Sequence, residues 1–241
     1  MGEGRSFMTT VLLLRHGRTT TNATGVLAGH QPVGLDEVGR AQAVKVGERL
    51  AAAKLPLAAV VSSPLPRCRE TLSLALPDVT DVIEDEGIIE CRYGDWTGRP
   101  LSELAKEPLW ATVQAHPSAA VFPGEGGESM AAMSARAIGA IRSWDARIAE
   151  SHGPEAVWLA CSHGDIIKAI AADALGMHLD LFQRLAVEPA SVTVIRYTPL
   201  RSFVLRLNDT GGDLSGFQPP EKAEGEPSSD AAVGGGSGGS V

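Results

Sequence analysis

Residues 9–22 read TTVLLLRHGRTTTN, and this stretch sets the character of the chain. Its first seven residues are β-branched or apolar, which predicts a buried strand over 9–15. The His-Gly pair at 16–17 follows at once and predicts a turn at the end of that strand. Arginine, histidine and glycine therefore stand where open α/β sheets bind their ligands, beyond the carboxyl end of a strand.

Further along the chain, short apolar runs alternate with segments of helical spacing, which is typical of an α/β protein. Asp36 is a candidate N-cap for a helix over 36–53. The residues of that helix that recur at helical spacing are Val38, Ala41, Val44 (or Lys45 by its stem), Gly47 and Leu50. The other predicted helices cover 63–76, 128–150 and 165–175, with short pieces over 101–116; the other predicted strands cover 58–62, 81–84 and 156–162. The prediction is a three-layer α/β/α sandwich with a mostly parallel sheet, to which a hairpin of 191–197 and 201–207 adds an antiparallel edge.

The composition divides the 241 residues into three parts. Residues 9–208 have the pattern of one folded domain, and the stretch 1–8 before them is predicted to be flexible. Residues 209–241 are rich in Gly, Ser, Pro and acidic side chains. Such a segment buries too little apolar surface to offset its ordering entropy, so a disordered tail is predicted.

The charge and cysteine content exclude several classes of partner. The net charge of −8 argues against nucleic acid or an anionic membrane as the main partner, since both attract basic surfaces. The three cysteines have no metal-binding spacing, and the chain has no HxxxH or DxH pair, so no metal site is predicted. With neither a signal-like start nor a membrane-length apolar run, the expected location is cytoplasmic.

Three predicted strands end in polar residues of a consistent kind. The first ends in Arg15 and His16, the second leads to Arg67 one helical turn beyond Pro64, and another ends in His163. Because the carboxyl ends of parallel strands share one edge of a sheet, these side chains should converge there. Arginine matches phosphate oxygens with paired donors, and a neutral imidazole is a competent nucleophile near neutral pH. The sequence therefore predicts a phosphate site.

These residues also resemble a known family, the histidine phosphatase superfamily with its phosphoglycerate-mutase-like fold. Five blocks carry the resemblance over residues 9–207, in the family's order. They are Arg15-His16-Gly17 with Thr19 and Asn22; Ser63, Leu65, Arg67 and Thr71; Glu90, Gly94 and Gly98; Gly127, Glu128 and Ser129; and Ser162-His163-Gly164.

The resemblance implies a role for each matching residue. His16 would be the nucleophile that becomes transiently phosphorylated, and Glu90 the proton donor. Arg15, Arg67 and His163 would be both catalytic and substrate-binding, holding the transferred phosphoryl group, while Asn22 and Gly164 would border it. The substrate would be a small phosphomonoester, no cofactor or metal would be needed, and a homodimer remains open because many members of the family pair.

Three functions share this set of residues: a phosphatase, a phosphoglycerate-type mutase, and a phosphate-binding module without activity. Mutases of the family carry extra basic residues before the last block, whereas 110–126 contains no Lys or Arg, so a phosphatase is favoured. A set of apolar side chains could contact a less polar leaving group or could pack a lid: Trp96, Leu109, Trp110, Val121 and Phe122. An intact set of core residues argues against the binding module.

Overall fold

The computed structural model describes residues 9–212. The predicted flexible start at 1–8 lies outside the described residues, as does 213–241 of the predicted tail, so both remain predictions. The last strand of the domain ends at Asp209, next to the predicted boundary at 208.

Regular elements alternate along the described chain in the predicted order. The strands are β1 (Thr9–Arg15), β2 (Leu57–Ser62), β3 (Val82–Glu84), β4 (Val157–Ser162), β5 (Val192–Tyr197) and β6 (Ser202–Asp209). The helices are α1 (Thr20–Ala23), α2 (Glu37–Ala53), α3 (Pro66–Ala75), α4 (Leu101–Leu104), α5 (Pro108–Ala115), α6 (Met130–His152) and α7 (Gly164–Ala174). Single 3₁₀ turns cover Glu86–Ile88, Gly94–Trp96 and Pro117–Ala119, and a longer one covers Leu179–Arg184.

The strands form one sheet in the order β3-β2-β4-β1-β5-β6. β1 lies at its centre, parallel to β4 and antiparallel to β5, and the β5–β6 hairpin forms the antiparallel edge. Leu12 and Leu14 of β1 pack with α2 and α3 on one face, while Val11 and Leu13 pack with α6 and α7 on the other. The predicted α/β/α sandwich is confirmed.

The buried face of α2 differs from the one that the apolar spacing indicated. Of the predicted face Gly47 is buried, but Ala41 is exposed and Val38 and Val44 are each 44% exposed. The other buried residues of the helix are Gly39, Ala43 and Val46. A Cβ on Gly47 would lie 2.5 Å from the carbonyl oxygen of Ala75, at the end of α3. The helix is therefore rotated so that its small residues allow backbone to approach backbone, and this close approach outweighs the burial of two valines.

Two further features of the described residues follow simply. Cys68, Cys91 and Cys161 are free and buried, so each of them packs as a small apolar side chain. Within 9–212 there is no helix that is both long and apolar enough to cross a membrane.

Candidate active site

The parallel pairing of β1 and β4 brings the two predicted histidines together. Arg15 pairs with Ser162 in the sheet register, and the amide of His16 donates to the carbonyl of Ser162 at 3.0 Å. The imidazole centroids of His16 and His163 are consequently 5.2 Å apart, with the ring planes at 61°. The predicted convergence of strand ends is thus present in the structure.

Arg67 connects the two imidazoles. Its Nε lies 3.2 Å from Nε2 of His16 and 3.2 Å from Nδ1 of His163. Its terminal nitrogens donate to the carbonyls of Gly29, at 2.8 Å, and Gln31, at 3.3 Å. Because Pro66 opens α3 with a fixed φ, Arg67 stands in the first turn of that helix and its side chain is held at both ends.

The hydrogen bonds of His16 fix which of its nitrogens is free to attack. Burial, and then the charges of Arg67 and Arg15, lower the pKa of His16 well below its usual range, so the ring is neutral at pH 7. Nδ1 lies 2.8 Å from the carbonyl oxygen of Gly17, which can only accept, so Nδ1 carries the proton. Nε2 accepts from the Nε–H of Arg67, so Nε2 has the lone pair that can attack a phosphorus atom.

His163 has the opposite tautomer by the same reasoning. Burial, and then the charge of Arg67, lower its pKa well below the usual range. Its Nδ1 accepts from Arg67, which leaves Nε2 to donate to the Ser63 hydroxyl at 2.7 Å. Ser63, from the second block of the sequence, is therefore the residue that orients His163.

The turn at Arg15–Gly17 is held against α2 by backbone contact. A Cβ on Gly17 would lie 2.5 Å from the carbonyl oxygen of Gly39, and a Cβ on Gly39 would lie 1.9 Å from that of Arg18. Both positions therefore require glycine. The hydroxyl of Thr71 accepts from the amide of Gly17 at 2.9 Å and donates to the carbonyl of Arg67 at 2.7 Å. The nucleophile's turn and the arginine's helix are thereby fixed to each other.

Glu90 follows the 3₁₀ turn Glu86–Ile88 and is nearly buried, with 4% of the residue exposed. Burial, followed by the charge of Asp165, raises its pKa to about 7, although Arg67, Arg15 and a hydrogen bond from the Cys91 amide at 2.9 Å act against this. A bound phosphate dianion would be expected to raise the pKa of a neighbouring proton donor by like-charge repulsion. In the structure, burial and a second carboxylate already produce this rise in pKa.

The loop that carries Glu90 is held by side chains of α6 and of the Gly-Glu-Ser segment. Arg136 donates to the carbonyls of Gly87, at 3.0 Å, and Ile89, at 2.9 Å, and forms an ion pair with Glu128. Ser129 caps α6 by accepting from the amide of Ala132. The fourth block of the sequence thus supports Glu90 through Arg136, and Glu128 is paired rather than free to meet a ligand.

A cavity is lined by Glu90 together with His16 and Arg67. It is lined by His16, Thr19, Thr21, Asn22, Gly25, Val26, Leu27, Ala28, Gly29, Arg67, Glu90, Tyr93 and Leu101. Of the predicted site residues, four therefore face it directly: His16, Asn22, Arg67 and Glu90. Asn22 has a second task, because its Oδ1 accepts from both the amide and the hydroxyl of Thr19 in the capping box of α1.

The remaining predicted site residues lie deeper. Arg15, His163 and Gly164 are buried and are not among the described residues that line the cavity. Nη1 of Arg15 donates to the carbonyl of Val187 at 2.5 Å, and burial lowers the pKa of its guanidinium. Their proposed contact with a phosphoryl group stays a prediction.

The large apolar side chains near the site belong to the core. Trp96 and Phe122 are 1% and 2% exposed, their rings are 5.4 Å apart, and Trp110 packs beside them. Packing is therefore the use that the structure shows for these three side chains and for Leu109, whereas Val121 is 60% exposed.

Sequence reasoning missed one buried pair near Glu90. The hydroxyl of Tyr93 donates to Oδ2 of Asp165 at 2.8 Å, and both residues are fully buried. The available signal was weak: an acidic residue directly after Ser-His-Gly, in the first turn of a helix whose residues are mostly apolar. Among residues 9–212, no three His, Cys, Asp or Glu side chains are grouped so that they could hold a metal ion.

Residues 11–210 match the family model of the histidine phosphatase superfamily, branch 1. The chain belongs to this superfamily. The match includes all five motif blocks, and its end at residue 210 adjoins the end of β6.

Relatives and solved structures place this histidine phosphatase among phosphatases. It is 34% identical over 169 residues to a metal-independent phosphoserine phosphatase of Arabidopsis thaliana, covering 68% of each chain. It is 29% identical to phosphoserine phosphatase 1 of Hydrogenobacter thermophilus, over 84% of this chain and 93% of that one. A phosphoserine phosphatase of Entamoeba histolytica shares the fold, with a TM-score of 0.73 at 22% identity over 84% of this chain and 98% of the other. The chain is therefore a phosphatase of the histidine phosphatase type.

Proposed function

We propose that this phosphatase hydrolyses a small phosphomonoester by way of a phosphohistidine on Nε2 of His16, without a metal ion. The observation that carries the proposal is the hydrogen bonding of His16: Nδ1 donates to Gly17, so the lone pair of Nε2 points at the cationic Arg67. A phosphate group drawn to Arg67 would meet that lone pair.

The first step forms the phosphoenzyme. Nε2 of His16 attacks phosphorus, the bond from phosphorus to the ester oxygen breaks, and the departing oxygen takes the proton of Glu90. Arg67 holds the phosphoryl oxygens, and the charge of the buried Arg15 lies behind it. His163 joins them by turning its Nε2–H from Ser63 to a phosphoryl oxygen, and the three groups stabilise the charge that spreads over the transferring group. Glu90 can serve as the acid because its pKa of about 7 keeps a proton on it at neutral pH.

The second step releases phosphate. Glu90, now a carboxylate, takes a proton from water as the water oxygen attacks phosphorus. The bond from phosphorus to nitrogen breaks, and Nε2 of His16 recovers its lone pair. Ester and water have become alcohol and phosphate, and Glu90 is protonated again for the next cycle.

The lining of the cavity supports a small leaving alcohol of mixed polarity. Thr19, Thr21 and Asn22 offer hydroxyl and amide groups on the α1 side, whereas Val26 and Leu101 offer aliphatic surface. Phosphoserine is a natural first substrate to test, because it is the substrate that the names of the relatives give.

The test compares hydrolysis of p-nitrophenyl phosphate in EDTA by the wild type, His16→Ala and Glu90→Gln. We expect His16→Ala to lose roughly 10⁶-fold in turnover, the scale seen when a covalent nucleophile is removed. Glu90→Gln should slow an alkyl phosphate by about 10²–10⁴-fold, should slow the nitrophenyl ester less because its leaving group is weakly basic, and should still bind phosphate. His116→Ala is the control, because the His116 side chain is 73% exposed and is not among the described residues that line the cavity.

Acid-labile but base-stable label on His16 after rapid quench from a ³²P-ester would support the mechanism. Full activity in His16→Ala would refute it, and loss of activity in EDTA would refute metal independence. Label passed to an added phosphoglycerate in preference to water would indicate a mutase instead.

A further inference from the structure

The hydrogen bond from Tyr93 to Asp165 connects two parts of the site that are distant in sequence. Tyr93 stands three residues after Glu90, in the same loop, and its ring lines the cavity beside Glu90. Asp165 stands two residues after His163, in the first turn of α7. The 2.8 Å contact therefore joins the loop of the proton donor to the helix that begins at the second histidine.

This contact is well fixed on both sides. The ring of Tyr93 packs edge-on against Phe122, with centroids 4.9 Å apart, and both rings are buried. Asp165 is 0% exposed on a helix whose residues 164–172 are all buried. A buried carboxylate is costly unless its charge is used or balanced, so its presence beside a general acid calls for a physical explanation.

We propose that Asp165 is a positioning residue for the proton donor: it anchors the Glu90 loop through Tyr93 and places a second buried carboxyl group in the same cluster as Glu90. The inference rests on the proposed function, in which Glu90 delivers that proton. Asp165 itself does not touch the substrate in this scheme.

Charged groups face Glu90 from three elements besides its own loop. Asp165 on α7 disfavours the ionised form, whereas Arg67 on α3 and Arg15 on β1 favour it. His30 and Arg136 contact only the backbone carbonyl of Glu90, at 2.7 Å and 3.5 Å. Among these groups Asp165 is the one whose charge raises the pKa of Glu90. Without that charge, burial would be the remaining cause that raises the pKa, and the two arginines would still lower it.

Asp165 has its own counter-charge nearby. Lys168 lies one helical turn later, is 4% exposed and donates to Gln183 at 3.1 Å. Burial lowers the pKa of Lys168, and the charge of Asp165 acts against that effect. The charges of Lys168 and Arg15 thus balance the carboxylate of Asp165, and Tyr93 donates a hydrogen bond to it.

The test measures the titration of Glu90 itself and the activity, in the full chain. Selective ¹³C labelling of glutamate carboxyls follows the titration, with Glu90→Gln used to assign the signal. Asp165→Asn keeps an oxygen acceptor for Tyr93 but removes the charge. Asp173→Asn is the matched control, because Asp173 lies on the same helix in an exposed pair with Arg142.

We expect the titration midpoint of Glu90 to fall by at least about half a pH unit in Asp165→Asn, with the alkaline limb of the kcat/KM profile moving with it. Asp173→Asn should leave both at their wild-type positions. An unchanged Glu90 midpoint in folded Asp165→Asn would overturn the electrostatic part of the proposal.

Tyr93→Phe tests the anchor separately, since it removes the hydrogen bond and retains the charge. We expect kcat to fall about two- to tenfold with KM nearly unchanged, the scale of one hydrogen bond. Wild-type kcat in this variant would overturn the anchoring part, and it decides that part even if Asp165→Asn does not fold. Failure of the proposed function would give a different result. If Glu90 is not the proton donor, the alkaline limb of the rate profile would persist in Glu90→Gln. The titration midpoint of Glu90, compared between the wild type and Asp165→Asn, would still show whether the charge of Asp165 acts on Glu90.

Discussion

The two walls of the site are built in different ways. The histidine wall, consisting of His16, Arg67 and His163, comes from strand ends and a helix start, whose positions follow from backbone pairing in the sheet. The acid wall, consisting of Glu90 and Tyr93, is irregular chain held by side chains that arrive from α6 and α7. One wall is fixed by the fold itself, and the other depends on a few individual side-chain contacts.

Burial acts on the two walls with opposite consequences for proton affinity. It lowers the pKa of His16 and raises that of Glu90, because burial disfavours whichever form is charged. Both groups are therefore neutral just below pH 7, where a histidine nucleophile and a carboxylic acid donor are both needed. Burial thus keeps the imidazole of His16 neutral for attack and the carboxyl group of Glu90 protonated for donation.

The largest effect is expected from changing the residue that joins the histidine wall. Arg67→Lys keeps a positive charge but cannot place one planar N–H between the two imidazoles while binding two carbonyls. We expect kcat/KM to fall by roughly 10²–10³-fold, the scale of losing one transition-state donor. Arg69→Lys, two residues further along the same helix in an exposed pair with Glu84, is the control. Near-normal activity in Arg67→Lys would mean that charge alone matters at this wall.

The next prediction concerns how burial of Glu90 in the acid wall changes the free energy of unfolding with pH. The folded-state pKa of Glu90 is about 7 against an ordinary 4.5, so its contribution to stability is full below pH 4.5 and is lost as pH rises to about 7. Glu90→Gln should therefore gain stability relative to the wild type between pH 4.5 and pH 8, by up to about 3 kcal/mol. Denaturant unfolding at both pH values measures this, with exposed Glu86→Gln as the control. A difference that is the same at both pH values would contradict it.

The smallest effect is expected from the support behind the acid wall. Arg136→Lys loses donors to the carbonyls of Gly87 and Ile89, so the free energy of unfolding should fall by about 1–3 kcal/mol. Urea denaturation compares it with Arg142→Lys, which changes an exposed ion pair on the same helix. Equal stability of the two variants would show that the loop holds itself without α6.

The histidine wall could be predicted from the sequence more completely than the acid wall. The histidine wall was accessible because a buried strand followed by a polar triplet has a short-range signature, and parallel strands must end at one edge. The sheet, its order of elements and the approach of His16, Arg67 and His163 were predicted on that basis. Spacing alone could not give the bond lengths or the tautomers, since these depend on carbonyls such as that of Gly17.

The acid wall was only partly accessible, for a physical reason. Glu90 was found through its resemblance to a family pattern, whereas Tyr93 and Asp165 meet across 72 residues of chain and leave no periodic trace. The rotation of α2 was missed in the same way, because the valines at 38 and 44 are apolar but Gly39 and Gly47 control the approach of backbone to backbone. Long-range contact of small or polar residues is the information that periodicity lacks.

The contact between Gly17 and Gly39 also bears on how this protein opens. Since neither glycine leaves room for a side chain, the turn that carries His16 and the first turns of α2 cannot separate by a small local movement. We therefore expect them to open as one cooperative unit in native-state hydrogen exchange. The amide of Gly17, bonded to Thr71, should accordingly exchange only when α2 and α3 open together, and the nucleophile is protected for as long as those helices are.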